Sequence, residues 1–336
     1  MKAVRLRSPA SIDNLFFDRA EARLPGAGEI SVRIKAASLN YRDGLVVNGF
    51  FPVADGLIPL SDGAGEVVAV GEGVSEYRVG DAVISTFHPT WSGGHIERAQ
   101  LVETPGGPVD GFACQTVTRP VRCFTAAPRT LSWHERATLT CAGLTAWRAV
   151  VTDAQVKPGD SVLVLGTGGV SLFALQFAKA CGASVIATTS SADKQERLKA
   201  LGADHVINYR EDSNWGETVA KLSGASGVDA VIEVGGPNTM AQSLAAARTG
   251  GHIALIGAVA GFDTDAMPFA TIQAKRLRVQ GVTVGSREDQ LAMVRAIDQH
   301  GIKPVIDRSF PLERLADAFR AMQLDSPIGK IVVDLE

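Results

Sequence analysis

Residues 161–183 constrain the fold of this chain most, because they have the pattern of a buried strand, a glycine turn and a helix. The apolar run 162–165 is typical of a strand buried on both faces. A glycine-rich turn follows at 166–169, and apolar residues then recur at helical spacing. Such a helix directs its free N–H groups and its positive dipole end at the turn. With Gly166 permitting the tight turn and Gly168 a close backbone approach, the stretch predicts a pyrophosphate site.

The third glycine position of the G-x-G-x-x-G pattern holds Ser171, which is larger by one hydroxymethyl group at the helix–strand contact. Taken alone, the stretch is equally compatible with a glycine-rich turn that binds no ligand. The residues around it therefore decide between the two interpretations.

Strand and helix patterns alternate from Lys157 onward. Strands are predicted near 161–166, 184–189, 205–209, 229–234, 252–257 and 278–284, with helices between them. This rhythm predicts a doubly wound parallel sheet, in which ligands bind at the carboxyl ends of the strands. Residues 1–130 instead have the short alternating strands of a β-rich unit, and 132–151 are predicted to be mostly helical. The 336 residues are thus expected to form two domains.

Composition narrows the class of protein. Apolar residues make up 46% of the chain and the net charge is −3, so a basic surface for nucleic acid or anionic membrane is not expected. No segment has the pattern of a signal peptide or the length of an apolar membrane span. The four cysteines form neither a CxxC pair nor a disulfide framework, which is typical of the cytoplasm.

Several motifs, in one order along the chain, resemble those of the medium-chain dehydrogenase/reductase family. They are Asn40-Tyr41-Arg42-Asp43, Asp62-Gly63-Ala64-Gly65-Glu66-Val67-Val68, Cys141-Ala142-Gly143-Leu144-Thr145-Ala146-Trp147, the Gly166 turn and Gly329-Lys330-Ile331-Val332. The resemblance implies an α/β chain in which a Rossmann doubly wound parallel sheet, 144–284, is inserted in a β-rich GroES-like catalytic domain, 1–143 plus 285–336. It also implies an active site in the cleft between these domains and a homodimer formed through 277–285.

Zinc-dependent members of this family carry a Cys where this chain has Asn40 and a His-Glu pair where it has Ser61-Asp62. Only Cys141 matches the third ligand position, whereas catalytic zinc normally needs three protein ligands. The four-cysteine lobe of structural zinc is missing as well. The resemblance therefore points to the zinc-free branch, which includes quinone oxidoreductases and enoyl reductases. A relocated metal site built from Asp43, Asp62 and Cys141 is the alternative.

Without a metal, the chemistry of the substrate is restricted. Oxidation of a simple alcohol requires a group that removes the hydroxyl proton, and neither a zinc site nor a Tyr-xxx-Lys pair is present in the sequence. Hydride addition to an enone or a quinone produces a delocalised oxyanion that one hydrogen bond can stabilise. Reduction of a quinone or an α,β-unsaturated carbonyl is therefore predicted, and Phe50, Phe51 and Trp91 favour a small hydrophobic substrate.

Three neighbouring residues are the catalytic candidates. Tyr41 matches the position at which enoyl reductases of the family place a tyrosine, so the resemblance implies a proton donor; a packing role at the domain boundary is the alternative. Asn40 is a candidate to bind the ribose or the substrate oxygen. Asp43 is expected to orient Arg42 or to cap the following turn. Cys141 is expected to be a small buried residue rather than a nucleophile.

The end of the second predicted strand indicates NADPH. An NAD-preferring unit places an acidic side chain there, whereas this chain has Thr189, followed by three possible donors to a 2′-phosphate, Ser190, Ser191 and Lys194. NAD stays possible, with a polar strand end as the alternative interpretation. The other predicted cofactor-binding residues, several of them implied only by the resemblance, are Thr145, Gly166, Thr167, Gly168, Gly169, Val170, Tyr209, Gly235, Gly257, Ala258, Val259, Val284 and Lys330.

The leading prediction is thus a zinc-independent NADP(H)-dependent oxidoreductase. An alcohol dehydrogenase or carbonyl reductase is the first alternative, because relatives with the same Asn-Tyr-Arg-Asp motif resemble alcohol dehydrogenases. A nucleotide-binding protein without turnover, acting as a structural protein or a sensor, is the second.

Overall fold

The computed structural model describes residues 1–19, 21–224, 226–257, 259, 261, 267–324 and 327–335. The chain divides into two compact units. Met1–Leu144 and Gly285–Glu336 form one, which we call the split unit, and Thr145–Val284 form the other, the inserted unit. The first boundary lies one residue after the one expected from the sequence.

The described residues form fifteen strands and ten α-helices. The strands are β1 (Lys2–Leu6), β2 (Leu15–Arg19), β3 (Glu29–Ser38), β4 (Asp62–Val70), β5 (Ala82–Ser85), β6 (Thr116–Pro120), β7 (Phe124–Ala126), β8 (Ser161–Leu165), β9 (Ser184–Thr189), β10 (His205–Asn208), β11 (Val228–Glu233), β12 (Ala247–Leu255), β13 (Arg278–Gly281), β14 (Ile306–Pro311) and β15 (Lys330–Asp334). The helices are α1 (Tyr41–Val47), α2 (Trp133–Ala137), α3 (Leu144–Trp147), α4 (Gly169–Ala180), α5 (Ala192–Ala200), α6 (Trp215–Leu222), α7 (Pro237–Ala246), α8 (Phe269–Ala274), α9 (Arg287–His300) and α10 (Leu315–Leu324).

The inserted unit is a six-stranded sheet in the order β10-β9-β8-β11-β12-β13, with every neighbouring pair parallel. This is the doubly wound order in which the chain reverses direction across the sheet between β8 and β11. The central strand β8 is fully buried at Val162, Leu163 and Val164, as its unbroken apolar run predicts. The predicted Rossmann fold class is confirmed.

The split unit contains a seven-stranded sheet in the order β14-β15-β3-β4-β5-β7, with β6 paired to β3, and a two-stranded sheet of β1 and β2. The β15 strand lies between β14 and β3. A strand that follows the inserted unit in the sequence therefore pairs with a strand that precedes that unit. Apolar residues of β3, β15 and α10 close one core, including Ile34, Val333 and Phe319. This core holds the ends of β3, β4 and β15 together, and the candidate catalytic residues lie there.

Two predicted elements differ in the structure. The strand predicted near 278–284 ends at Gly281, and Val284 has a positive φ of 57°, which a strand does not contain. The predicted helix over 132–151 consists of α2 and α3 with two π-helical segments, Leu139–Gly143 and Arg148–Asp153. In the part of the chain that the structure describes, no helix combines the length and apolar character needed to cross a membrane.

Candidate active site

The glycine turn after β8 has the geometry that a bound phosphate group needs. Gly166 has a φ of +73°, the left-handed region that a residue with a side chain rarely adopts. Gly168 directly precedes α4, and an added Cβ at this position would meet no atom within 4 Å. Thr167 is buried and Gly169 begins the helix. The N–H groups of the first turn of α4 therefore border an open space, which fits the pyrophosphate of a dinucleotide.

Ser171, in place of the third glycine, is accommodated by a hydrogen bond. Its buried Oγ donates to the carbonyl oxygen of Leu165, the last residue of β8, at 2.6 Å. The larger side chain thus ties the first turn of α4 to the strand before it, and the helix keeps its place against the sheet.

The end of β9 presents a row of hydroxyl groups. Thr189 is buried, and its Oγ1 has no hydrogen-bond partner among the described residues. Ser190 and Lys194 are partly exposed, and Ser191 precedes α5 without using its side chain as a cap. The half-exposed Tyr209 follows β10 and donates its N–H to the Thr189 carbonyl at 3.0 Å. An unused buried hydroxyl at this strand end fits a ligand with polar groups.

Glu233 was not predicted from the sequence, yet it organises the next strand end. Its side chain is fully buried, and Oε1 accepts from Gly235 N at 2.7 Å, Gly236 N at 2.9 Å and Thr239 Oγ1 at 2.7 Å. The other oxygen accepts from the Ser243 hydroxyl. The carboxylate therefore fixes the Gly235–Gly236 turn. A lone Glu at a strand end carries no sequence signal for this role.

The other predicted cofactor-binding residues are spread over the inserted unit. Thr145 is buried in α3, and Val170 follows the first residue of α4. Past β12, Val259 is exposed and donates its N–H to the Val234 carbonyl at 3.2 Å, beside Gly257. Val284 is buried. Ala258 lies outside the described residues.

The catalytic candidates lie in the split unit at the start of α1. Asn40 precedes the helix, and its backbone N–H donates to Asp43 Oδ2 at 3.0 Å, as in a helix-capping pair. Arg42 donates to Asp43 Oδ1 at 3.3 Å. Asp43 thus contacts Arg42 as expected, but the N–H that it accepts belongs to Asn40 before the helix and not to the turn that follows. Tyr41 begins the helix with 45% of its surface exposed.

Asn40 differs from the prediction that it binds ribose or substrate. It is 7% exposed, and its amide nitrogen donates to Ser61 Oγ at 3.2 Å and to Asp43 Oδ2 at 3.3 Å. Its Oδ1 accepts from the Lys330 ammonium. Because each polar atom of the side chain has a partner in the split unit, Asn40 positions its neighbours.

Lys330, one of the predicted cofactor-binding residues, makes its hydrogen bonds within the split unit. Its ammonium is buried in the split unit, where it donates to the Leu39 carbonyl at 2.6 Å and to Asn40 Oδ1, and it lies 3.7 Å from Asp62 Oδ2. The physical reason is charge. Two carboxylates, Asp43 and Asp62, are buried here, and they attract the cation.

The buried acids have raised pKa values. Burial raises the pKa of Asp43 to about 6, although the nearby Arg42 guanidinium opposes the shift. Burial also raises the pKa of Asp62, against the opposing charge of Lys330. Asp62 Oδ2 accepts from Ser38 Oγ at 3.0 Å, whereas Oδ1 has no partner among the described residues. Burial and the Asp62 charge raise the pKa of the Cys141 thiol, which is therefore a poor nucleophile.

The residues at the three zinc-ligand positions do not fit a metal ion. Asn40 and Ser61 are hydrogen-bonded to each other, and a lysine ammonium contacts Asn40. Zinc binds deprotonated or lone-pair donors and is repelled by a neighbouring cation. Among the described residues, no group of three His, Cys, Asp or Glu side chains is placed to hold a metal. The alternative site of Asp43, Asp62 and Cys141 is therefore not formed.

Comparison with known proteins agrees with the two-unit architecture. The model of the alcohol dehydrogenase GroES-like domain matches residues 26–129, and that of the zinc-binding dehydrogenase domain matches residues 169–299. A zinc-type alcohol dehydrogenase-like protein of Schizosaccharomyces pombe is 40% identical over 316 residues, which cover 92% of this chain and 91% of that protein.

Solved structures extend this similarity to the whole chain. A crystal structure of an NAD-dependent alcohol dehydrogenase has a TM-score of 0.91 and 34% identity, covering 100% of both chains. A second crystal structure, named as an alcohol dehydrogenase from Sinorhizobium meliloti 1021, has a TM-score of 0.92 and 40% identity, covering 100% of this chain and 99% of that one. The resemblance seen in the motifs is confirmed. With a dinucleotide-binding sheet inserted in a GroES-like unit, the chain belongs to the medium-chain dehydrogenase/reductase superfamily and is an NAD(P)H-dependent oxidoreductase.

Proposed function

We propose that this protein is a zinc-independent reductase that transfers hydride from NADPH to a quinone or an α,β-unsaturated carbonyl. The observation that carries the proposal is the cluster of Asn40, Ser61 and Lys330, in which neutral side chains and an ammonium lie at or against the zinc-ligand positions. A site without a Lewis acid has no group that lowers the pKa of a simple alcohol. It suits an acceptor that delocalises the developing charge by itself.

The chain's own residues supply the proton and the binding sites in this reaction. When bound, the reduced nicotinamide would supply a hydride to the β-carbon of the enone, and the negative charge would then lie on the carbonyl oxygen. The half-exposed phenol of Tyr41 donates a hydrogen bond and then a proton to the resulting enolate, and it regains the proton from solvent. The products are the saturated carbonyl compound and the oxidised cofactor. Asn40 and Asp43 act by fixing the first turn of α1, on which Tyr41 lies.

NADPH is proposed as the cofactor because of the end of β9. Thr189 stands where an NAD-preferring sheet has a carboxylate, and its buried hydroxyl has no partner among the described residues. Ser190, Ser191 and Lys194 add further donors to a 2′-phosphate. NAD is the competing cofactor, since a structure at 34% identity is named as NAD-dependent.

Alcohol oxidation or carbonyl reduction is the second candidate function. It is favoured by the names of the relatives, a zinc-type alcohol dehydrogenase-like protein and an NAD-dependent alcohol dehydrogenase. The two candidates differ in their need for a metal and in the substrate that they accept.

One assay separates them. The purified protein is incubated with NADPH or NADH and, in parallel, with a quinone, an enone, a saturated aldehyde or no acceptor, with and without a chelator. Absorbance at the nicotinamide band reports turnover. We expect turnover with the quinone or the enone that the chelator does not reduce. Turnover confined to the saturated aldehyde and abolished by the chelator would establish the second candidate instead.

A homodimer is proposed as the assembly. The strand β13 is at the end of the six-stranded sheet and pairs only with β12 within the described chain, so its other edge carries unpaired backbone groups. A second copy of the same strand would satisfy them across a twofold axis. Sedimentation of the purified protein measures the mass, and a mass of one chain at micromolar concentration would contradict the dimer.

A further inference from the structure

Arg42 lies beside the catalytic candidates, and the protein uses only part of its guanidinium. Nη1 donates to the Pro105 carbonyl at 3.0 Å and to Asp43 Oδ1 at 3.3 Å. Nε and Nη2 have no hydrogen-bond partner among the described residues, and 23% of the side-chain surface is exposed. A guanidinium has five N–H donors. Three of them, on Nε and Nη2, are therefore available to a ligand.

The unused edge of the guanidinium has the shape that a carboxylate needs. The N–H of Nε and one N–H of Nη2 point in the same direction and match the two oxygens of a carboxylate. Asp43 does not occupy this edge, because it contacts Nη1 and its two oxygens also accept from Asn40 and Ser61. An anion that arrives from solvent can therefore form two parallel hydrogen bonds with Arg42.

Packing within the split unit holds the guanidinium in this position. Its central carbon lies 5.4 Å from the centre of the buried Phe87 ring, which is a cation–π contact. Gly107 is buried beside Nη2, and an added Cβ at this glycine would collide with that nitrogen. The glycine thus makes room for the guanidinium. A planar fork that is already held in place loses little conformational freedom when it binds a ligand.

The guanidinium lies next to the groups for which reduction is proposed. Arg42 directly follows Tyr41 in the first turn of α1. Burial raises the pKa of the Cys141 thiol, at the third zinc-ligand position, and the charge of Arg42 is one of those that oppose the rise. The free guanidinium edge and the proposed proton donor are therefore carried by the same turn of one helix.

We propose that Arg42 binds a carboxylate of the substrate, so that the carbonyl compounds reduced by this protein are acidic. The inference rests on the proposed function, which it narrows from α,β-unsaturated carbonyl compounds in general to those that carry a negative charge. Arg42 determines specificity in this role and takes no part in the transfer of hydride or proton. The phosphates of the cofactor are also ligands for a guanidinium, so the experiment includes the cofactor.

Specificity is measured with an acid and its neutral ester. The acid is β-acetylacrylate, an enone that carries a carboxylate, and the ester is its methyl ester. The ratio of kcat/KM for the acid to that for the ester is determined for the parent, Arg42→Met and Arg42→Lys. Intrinsic reactivity cancels when this ratio is compared between proteins. Arg136→Met is the matched control, because that guanidinium also contacts a backbone carbonyl, of Pro128, and an aromatic ring, of Trp133, in the split unit.

We expect Arg42→Met to lower the ratio by about 10-fold, the lower value for a hydrogen bond to a charged group, since the guanidinium is partly exposed. Arg42→Lys should lower it less, because the charge is kept and the fork is lost. The Arg136→Met control should leave the ratio unchanged, and the NADPH dissociation constant should be the same in all variants. An unchanged ratio in Arg42→Met would overturn the inference. Weaker NADPH binding with an unchanged ratio would assign the guanidinium to a cofactor phosphate instead.

A binding measurement separates this inference from the proposed function. Calorimetry with levulinate and methyl levulinate, the saturated products, in the presence of NADP⁺ requires no turnover. We expect the parent to bind levulinate more tightly than the ester, and Arg42→Met to remove the difference. If Arg42→Met does not fold, as judged by circular dichroism, Arg42→Lys should reduce the difference. Equal binding of acid and ester by the parent, or no binding of levulinate, would overturn the inference, whereas a lack of enone reduction would overturn only the proposed function.

Discussion

Asn40 and Tyr41 are adjacent in the chain and lie in opposite environments. The amide is buried and hydrogen-bonded to Ser61, Asp43 and Lys330, whereas nearly half of the phenol surface is exposed. A residue whose donors and acceptors are all used is suited to hold a neighbour in place. A residue with an exposed hydroxyl can meet a substrate. The division of roles between these two residues follows from their hydrogen bonds.

Replacing Tyr41 by Phe should slow reduction of an enone and leave the cofactor affinity unchanged. The loss of the main oxyanion donor costs up to about 10²–10³-fold in turnover, and less where water replaces it. Steady-state kinetics give the turnover, and fluorescence titration gives the NADPH dissociation constant. Tyr77→Phe, which removes a buried hydroxyl bonded to the Phe124 carbonyl in the same unit, is the matched control. Unchanged turnover with enones and quinones would leave Tyr41 a packing residue.

Asp43→Asn should change the dependence of stability on pH. In the folded chain the pKa of this carboxyl is raised to about 6 by burial, above its ordinary value of 3.8. The folded state therefore holds the proton more tightly than the unfolded state. The resulting stabilisation is fully present below about pH 4 and is lost as the pH rises through 6. Asn carries no titrating group and removes this contribution.

The measurement compares the thermal unfolding midpoint of the variant with that of the parent from pH 4.5 to pH 7.5. We expect the unfolding midpoint of the parent to fall relative to that of the variant as the pH rises across this range. The substitution also exchanges a carboxylate that accepts from Asn40 and Arg42 for an amide, so the change of the difference with pH, and not its absolute size, reports the titration. Parallel curves for the two proteins would show that Asp43 does not titrate there.

At the scale of elements, sequence patterns predict those strands that consist of a continuous run of apolar residues. The parallel strands β8, β9 and β10 lie within a residue of their predicted ranges, because unbroken apolar runs end at glycine or polar residues. The end of β13 was wrong by three residues, since a backbone with positive φ at Val284 has no apolar signature. The π-helical turns near Leu144 could not be predicted either, because they follow from packing rather than from a spacing of residues.

The end of β9 carries the prediction of cofactor preference. Thr189→Asp should weaken NADPH binding and strengthen NADH binding, because the new carboxylate repels the 2′-phosphate and accepts a ribose hydroxyl. Lys194→Ala, on α5, should weaken NADPH only, by about 10-fold, the lower value for a hydrogen bond to a charged group, since solvent screens this partly exposed position.

Titration of each variant with both cofactors measures these changes. Lys199→Ala is the matched control, because Lys199 lies on the same helix and pairs with Glu196. If the parent protein already binds NADH as tightly as NADPH, then the end of β9 is no phosphate site.

At the scale of the whole molecule, the catalytic cluster joins residues that are remote in sequence. Asn40 is 290 positions from Lys330, and no local pattern connects them. The resemblance to the family marked Lys330 as a cofactor-binding residue, and its contact with Asn40 was found only from the fold. The burial of Asp62 next to Ser61 decides where the positive charge of Lys330 lies. A sequence that lacks a repeating pattern does not show which polar side chains are buried. The order of the motifs in the sequence is enough to predict the family. The contacts within the cluster can be seen only in the folded structure.

The purified protein should contain no stoichiometric zinc. The reason is the set of neutral and cationic groups at the ligand positions, Asn40, Ser61 and the Lys330 ammonium beside them. Elemental analysis after extensive dialysis measures the metal content, and the activity is then compared before and after treatment with a chelator. About one zinc per chain together with loss of activity in chelator would contradict the zinc-free mechanism.

The pairing of β15 with β3 also sets an order of events during synthesis. The ribosome completes all of Thr145–Val284 before it makes Lys330, so the inserted unit can fold while β3 still lacks its neighbour. The cluster of Asn40, Asp62 and Lys330 therefore forms only after the chain of the inserted unit has been made.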